Sequence, residues 1–147
     1  MSTHARRRLT RFAPLLALAL AAGCADLTGN TGGHLVTGLT IQDASTAATL
    51  VTVSSANSVT GTLTLARNTQ RPVAIVLRGA GGNVILPGIG ETVRITITNP
   101  NVASWADVGG GTGTIRGHTA GTTTMRVDVI QQGTVEYTSP DITIQVT

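Results

Sequence analysis

The chain has 147 residues, with ten Lys and Arg side chains, seven Asp and Glu, and a formal net charge of +3. Four of the arginines and no acidic residue precede Cys24, so residues 24–147 carry six Arg against seven acidic side chains, a difference of −1, and contain no Lys. Without a basic patch, this part lacks the electrostatic attraction to phosphates that nucleic-acid binding requires. We therefore expect no nucleic-acid partner.

The first predicted element is a cleaved signal peptide at residues 1–23. A basic start at Arg6, Arg7, Arg8 and Arg11 is followed by an apolar run over residues 12–22. This run is shorter than the ~20 residues that a membrane-spanning helix needs. The pattern is that of a secretory leader rather than a permanent membrane helix.

The leader ends in Ala21-Ala22-Gly23-Cys24, which resembles the lipobox of bacterial lipoproteins, although Ala21 stands where that family usually has Leu. The resemblance implies cleavage before Cys24 and acylation of this residue with palmitate-type chains, so that the membrane is a partner through those chains. The same resemblance favours the outer membrane over the inner membrane in a Gram-negative host, because Ala25 rather than Asp follows the Cys. The alternative is an ordinary leader cut after Ala19-Leu20-Ala21, which leaves a free thiol.

Residues 24–34 follow as a polar, Gly-rich segment without hydrophobic periodicity, which predicts a flexible tether. A coil of ten such residues spans ~17 Å r.m.s., so we expect the domain behind it to stay close to the bilayer. Cys24 is the single cysteine of the chain, and no internal disulfide is therefore expected.

Residues 35–147 are predicted to form one all-β domain, because Thr, Val, Gly and Ile dominate and apolar residues alternate with polar ones. Turn signals separate short strands, which is typical of a sandwich. Strands are predicted at residues 35–42, 50–54, 61–66, 71–78, 84–86, 91–98, 102–105, 114–117, 122–130 and 141–147. Residues 43–49 are predicted as a turn or a short helix, and residues 109–113 as a flexible loop. The predicted core includes Val73, Ile75, Leu77, Ile95, Ile97, Trp105, Ile115, Val127 and Ile144.

Three segments resemble the bacterial immunoglobulin-like domain family, group 2. Residues 98–105 (TNPNVASW) are similar to its S-N-P-x-V-A-x-V segment, and residues 114–125 to its G-x-V-x-G…A-G-T-A-x-I segment. Residues 71–85 resemble a strand and hairpin of the same fold. The resemblance implies an Ig-like β-sandwich that serves in adhesion or as a structural spacer, and it brings no catalytic residues.

No catalytic, cofactor or metal site is expected. His34 and His118 are the only histidines after residue 23, and no second His or Cys lies near either in sequence. Ser104, His118 and Asp107 provide the side chains of a triad, but without a G-x-S-x-G elbow. Asn99, Asn101 and Asp107 lack the D-x-D-x-D spacing of a calcium loop. The Gly-rich run at 109–111 precedes no Lys and no helix.

Two function classes remain for a protein predicted not to be an enzyme. The first is a lipid-anchored, non-catalytic Ig-like module of the cell envelope that acts in adhesion or as a structural element. The second is an envelope-displayed module that binds carbohydrate or polymer. An envelope protein or polysaccharide is the expected partner, and residues 79–83 and 109–113 are the expected contact loops. Trp105 is predicted to be a core residue, with a sugar-stacking platform as the alternative.

Overall fold

The computed structural model describes residues 35–147, in which almost every element is a strand. The predicted leader, Cys24 and His34 lie outside these residues. Within the described part, no helix is long and apolar enough to cross a membrane. The strands, in chain order, are β1 (Val36–Asp43), β2 (Thr49–Val53), β3 (Val59–Thr60), β4 (Leu63–Leu65), β5 (Gln70–Gly79), β6 (Val84–Ile85), β7 (Glu91–Ile97), β8 (Ala103–Gly109), β9 (Thr112–Gly117), β10 (Gly121–Gln131), β11 (Thr134–Thr138) and β12 (Ile142–Val146).

The first sheet has the strand order β3-β2-β1-β5-β9-β8 and is antiparallel throughout. Its central strand, β5, pairs along one side with β1. On its other side, β9 pairs with its first half and β6 with its last residues. A single 3₁₀ turn at Ala80–Gly82 connects β5 to β6.

The second sheet has the order β11-β10-β12-β4, and β7 pairs with the free side of β10. The long strand β10 therefore organises this sheet as β5 organises the first. The last strand, β12, lies antiparallel to β10 and parallel to β4. The two sheets enclose one core, and the protein is an all-β, Ig-like β-sandwich, as predicted.

The core follows from the period-two alternation, because inward-facing positions of both sheets are apolar. Six of the predicted core residues are buried, and the other three, Ile95, Ile97 and Trp105, are only partly buried. These three residues lie on β7 and β8, which are edge strands of the two sheets and are therefore less covered than the central strands. The buried apolar residues are Val36, Leu39, Ile41, Val51, Val53, Leu63, Leu65, Val73, Ile75, Leu77, Ile85, Val102, Ala103, Ile115, Met125, Val127, Val129, Ile142, Ile144 and Val146.

The prediction of a flexible loop at residues 109–113 is wrong. Gly110 and Gly111 alone form the turn of the β8–β9 hairpin, while Thr112 and Gly113 belong to β9. Gly113 pairs with Val73 on one side and with Asp107 on the other. A segment paired on both sides is part of the sheet. Residues 43–49, predicted as a turn or a short helix, contain no helix: residues 44–48 form the turn between β1 and β2.

Candidate binding surface

Ser104 and His118 lie in direct contact at the edge of the first sheet. The Ser104 Oγ is 2.7 Å from the His118 Nε2. The backbone fixes this contact, because Ser104 is on β8 and the His118 N–H donates a 2.8 Å hydrogen bond to the Val102 carbonyl. This contact is not predicted by the sequence, although both residues are candidates for a triad.

Asp107 does not complete a triad with this pair. Its carboxylate accepts a hydrogen bond from the Gly109 N–H at 3.3 Å, at the far end of β8 from Ser104. Among the described residues, no side chain hydrogen-bonds the second ring nitrogen of His118. A hydrolytic site needs an orienting group for the histidine and donors for an oxyanion. The Ser104–His118 contact is therefore best described as a structural hydrogen bond between β8 and the residue that follows β9.

The residues considered for calcium also stay apart. The Asn99 side chain accepts a 3.1 Å hydrogen bond from the Asn101 N–H and so caps its own turn, as Asx side chains commonly do. Asp107 lies near the opposite end of the following strand. In residues 35–147, no group of three His, Cys, Asp or Glu side chains is placed to hold a metal ion.

Trp105 lies on the core-facing side of β8, opposite the buried Ile115. Its ring covers Gly113, where a Cβ atom would collide with the indole and lie 2.5 Å from the Ala106 carbonyl oxygen. The glycine therefore makes room for the tryptophan. The side chain packs against the core and remains only partly buried.

A groove of about 380 Å³ lies on the outer face of the first sheet, beside the 3₁₀ turn. The guanidinium of Arg78 lies in it, donating to the Gly82 carbonyl at 3.2 Å and to the Thr40 Oγ1 at 3.5 Å. Arg78 forms no ion pair with any described residue. Hydroxyls and backbone complete the lining, contributed by Thr37, Gly38, Thr52, Val53, Ser54, Ser55, Gly79 and Gly81.

This groove is not predicted by the sequence. The predicted contact loop at residues 79–83 does border it. Its hydroxyls come from β1, β2 and the turn that follows β2, which are distant in sequence from Arg78. The pairing of β1 with β5, in which Gly38 lies opposite Arg78, brings them together. An unpaired guanidinium among hydroxyls is suited to an anionic group such as a phosphate or carboxylate.

A second charged cluster lies on the outer face of the other sheet. Asp128 accepts hydrogen bonds from Arg94 at 2.7 Å and from Thr138 at 2.8 Å. Burial raises the pKa of Asp128, but these hydrogen bonds and the charges of Arg94 and Arg126 outweigh it. The net pKa lies below the ordinary value of 3.8. A smaller cavity of about 170 Å³ beside it also borders the exposed Arg126–Asp141 pair.

The lowered pKa predicts an acid-dependent loss of stability. The folded state favours the Asp128 carboxylate, so its stabilisation is present above the ordinary pKa and is lost as the pH falls through the lower folded-state pKa. The melting temperature of the wild type should therefore fall more steeply between about pH 5 and pH 2 than the melting temperature of Asp128→Asn. Parallel pH profiles for the two proteins would contradict this assignment.

The chain is similar to several solved structures at low sequence identity. S-layer protein SbsC domains 4 and 5 match with 16% identity and a TM-score of 0.46 over 60% of this chain and 48% of that one. SbsC domains 4–9 match over 80% of this chain and 23% of that one, at 14% identity and a TM-score of 0.46. The adhesin InvE of Yersinia pseudotuberculosis matches at 24% identity and a TM-score of 0.35, over 57% of this chain and 24% of that one.

The chain spans less than half the length of each of these matched structures. Every one of these TM-scores is below 0.5, so no conclusion about function follows from them. No protein-family model matches the chain, and no curated protein matches it.

Proposed function

We propose that the protein is a lipid-anchored, non-catalytic Ig-like module of the bacterial cell envelope, with an adhesive or structural role. In this proposal Cys24 carries the acyl chains and the outer membrane is favoured over the inner membrane. The sandwich then presents its strand edges and loops to an envelope protein or polysaccharide.

The observation that carries the proposal is the position of the single cysteine. Cys24 closes an apolar leader, and the first strand of a complete sandwich begins soon after it, at Val36. Chance rarely places the one cysteine of a chain at the end of a signal-peptide core. One of the segments that resemble the group 2 family, residues 98–105, also coincides with a turn and the strand that follows it, β8.

The side-chain chemistry of the described residues also supports a non-catalytic role. The Ser104–His118 pair has neither an acidic partner nor a described cavity beside it. The two cavities described are lined by hydroxyls, Arg and Asp residues and contain no histidine. These features fit a scaffold that presents a surface to a partner better than an enzyme that converts a substrate.

Membrane fractionation of the wild type and Cys24→Ser tests the proposal. The wild type should sediment with membranes and be released by detergent but not by salt, because the attachment is through acyl chains. Cys24→Ser should be soluble or should accumulate with its leader uncleaved. Recovery of the wild type as a soluble species with a free thiol at Cys24 would overturn the proposal.

The second candidate is a carbohydrate- or polymer-binding module, and the partly exposed ring of Trp105 favours it. A partly exposed aromatic ring can serve as a platform for the apolar face of a ligand. Because Trp105 is the only tryptophan of the chain, its fluorescence reports directly on such binding. Quenching by envelope polysaccharide would favour this candidate, and unchanged emission would favour the adhesive or structural role.

A further inference from the structure

Most of the exposed large apolar side chains of residues 35–147 lie at one end of the sandwich. The chain enters the fold at this end, because Val36 pairs with Gly79 at the close of β5. The 3₁₀ turn, β6 and the β10–β11 turn lie there too, since the Gln132 N–H donates to the Gly90 carbonyl at 3.2 Å. We call this end, with Leu35, Val84, Leu86 and Ile89, the entry end.

The apolar side chains at the entry end are highly exposed, and the opposite end of the sandwich has no comparable group. Leu35 is 75% exposed, Leu86 76% and Ile89 103%. Of the six large hydrophobic side chains that are exposed in residues 35–147, four lie at this end, Val135 follows the β10–β11 turn, and Val108 precedes the β8–β9 turn. The turns at the opposite end, at residues 44–48, 98–102 and 118–120, present none of them. Single exposed apolar residues are ordinary, but their concentration at one end indicates an interaction surface.

The segment that carries Leu86 and Ile89 is held in shape. It connects β6 of the first sheet to β7 of the second. The Glu91 carboxylate accepts a hydrogen bond from the Gly88 N–H, and the Glu91 N–H donates back to the Gly88 carbonyl at 3.1 Å. The two apolar side chains are thus presented by a fixed turn.

The position of Cys24 in the sequence argues for the bilayer as the occupant of this surface. Ten residues separate Cys24 from Leu35, so the two Cα atoms can be no more than about 40 Å apart. If Cys24 carries acyl chains, the entry end, where the chain enters the fold, is held within about 40 Å of the bilayer. Arg78 lies directly opposite Val84 in the β5–β6 pair, on the same face, where its unpaired guanidinium can meet a lipid phosphate.

We propose that the entry end docks onto the lipid bilayer, with Leu86 and Ile89 inserted at the interface and Arg78 against headgroup phosphates. This proposal rests on the anchoring of Cys24 proposed above. The docking is weak by itself and becomes effective because the anchor raises the local concentration of the surface. Anchor and surface together orient the sandwich, so that its opposite end points away from the membrane.

The test couples residues 24–147, which contain both sheets and the whole described core, to a maleimide lipid through the Cys24 thiol. The vesicles contain phosphatidylglycerol and phosphatidylethanolamine with brominated acyl chains. In a Trp105→Phe background, Ile89→Trp and Leu86→Trp each supply one tryptophan at the entry end. The matched control, Ala120→Trp, places it in the exposed turn at the opposite end.

Coupling should shift the emission of Ile89→Trp and Leu86→Trp to shorter wavelengths and quench it, while Ala120→Trp stays unchanged. Adding Arg78→Gln to the Ile89→Trp protein should weaken the quenching. Unchanged emission at both entry-end positions, or an equal response at all three, would overturn the docking. Because the coupling is chemical, this result is independent of whether cells acylate Cys24.

Discussion

Replacing Ile144 with Ala is expected to lower the free energy of unfolding by about 2–5 kcal/mol, the range for removing a fully buried Ile side chain. Ile144 is 0% exposed and lies in the centre of the second sheet, between Thr123 of β10 and Leu63 of β4. Because β12 is hydrogen-bonded on both sides, to β10 and to β4, it cannot move to close the cavity. Denaturant titration followed by circular dichroism measures the loss.

The matched control is Ile89→Ala, which removes the same atoms from a side chain that is fully exposed. Its effect should stay within about 0.5 kcal/mol. A typical domain has only ~5–15 kcal/mol of stability, so the two variants should separate clearly. Equal losses at Ile144 and Ile89 would contradict the described core.

Gly113→Val is expected to destabilise the domain by about 3 kcal/mol, at the upper end of the usual range for overpacking. The new side chain would collide with the Trp105 ring and with the Ala106 carbonyl, so β8 must move away from β9. Thr114→Val, at the next position of β9, is the control and should change the stability little, since Val is well accommodated in strands.

A double-mutant cycle with Trp105→Ala identifies the source of the Gly113→Val effect. Removing the indole should recover part of the loss, because the two residues occupy the same space. The Ala106 carbonyl remains, so the recovery should be incomplete. Strictly additive losses would show that Trp105 does not pack over Gly113.

The strands could be predicted from the sequence because one face of each sheet is buried. The alternation in β5 predicts that Val73, Ile75 and Leu77 share the inward face of the strand, and all three are buried in the structure. The same pattern in β7 predicted the inward face of Ile95 and Ile97 but not their exposure. Exposure depends on which strands end each sheet, and pairing order is not encoded in alternation.

The Arg78 groove and the Ser104–His118 contact depend on strand register. Arg78 meets Thr40 across 38 positions of sequence, and Ser104 meets His118 because β8 and β9 form a hairpin. A local pattern contains no information about such partners. The prediction of a loop at 109–113 failed for the same reason, because a Gly-rich run is ambiguous between a loop and a strand that packs beneath an indole.

The anchor, by contrast, is a prediction from the sequence alone, since Cys24 lies outside the described residues. The most direct test is the mass of the N-terminal peptide of the mature protein, extracted in detergent from its native membrane. Anchoring through Cys24 predicts a peptide that begins at Cys24 and is heavier than its amino-acid sequence by the mass of the acyl groups. A peptide that begins elsewhere, or one with an unmodified Cys24 thiol, would contradict it.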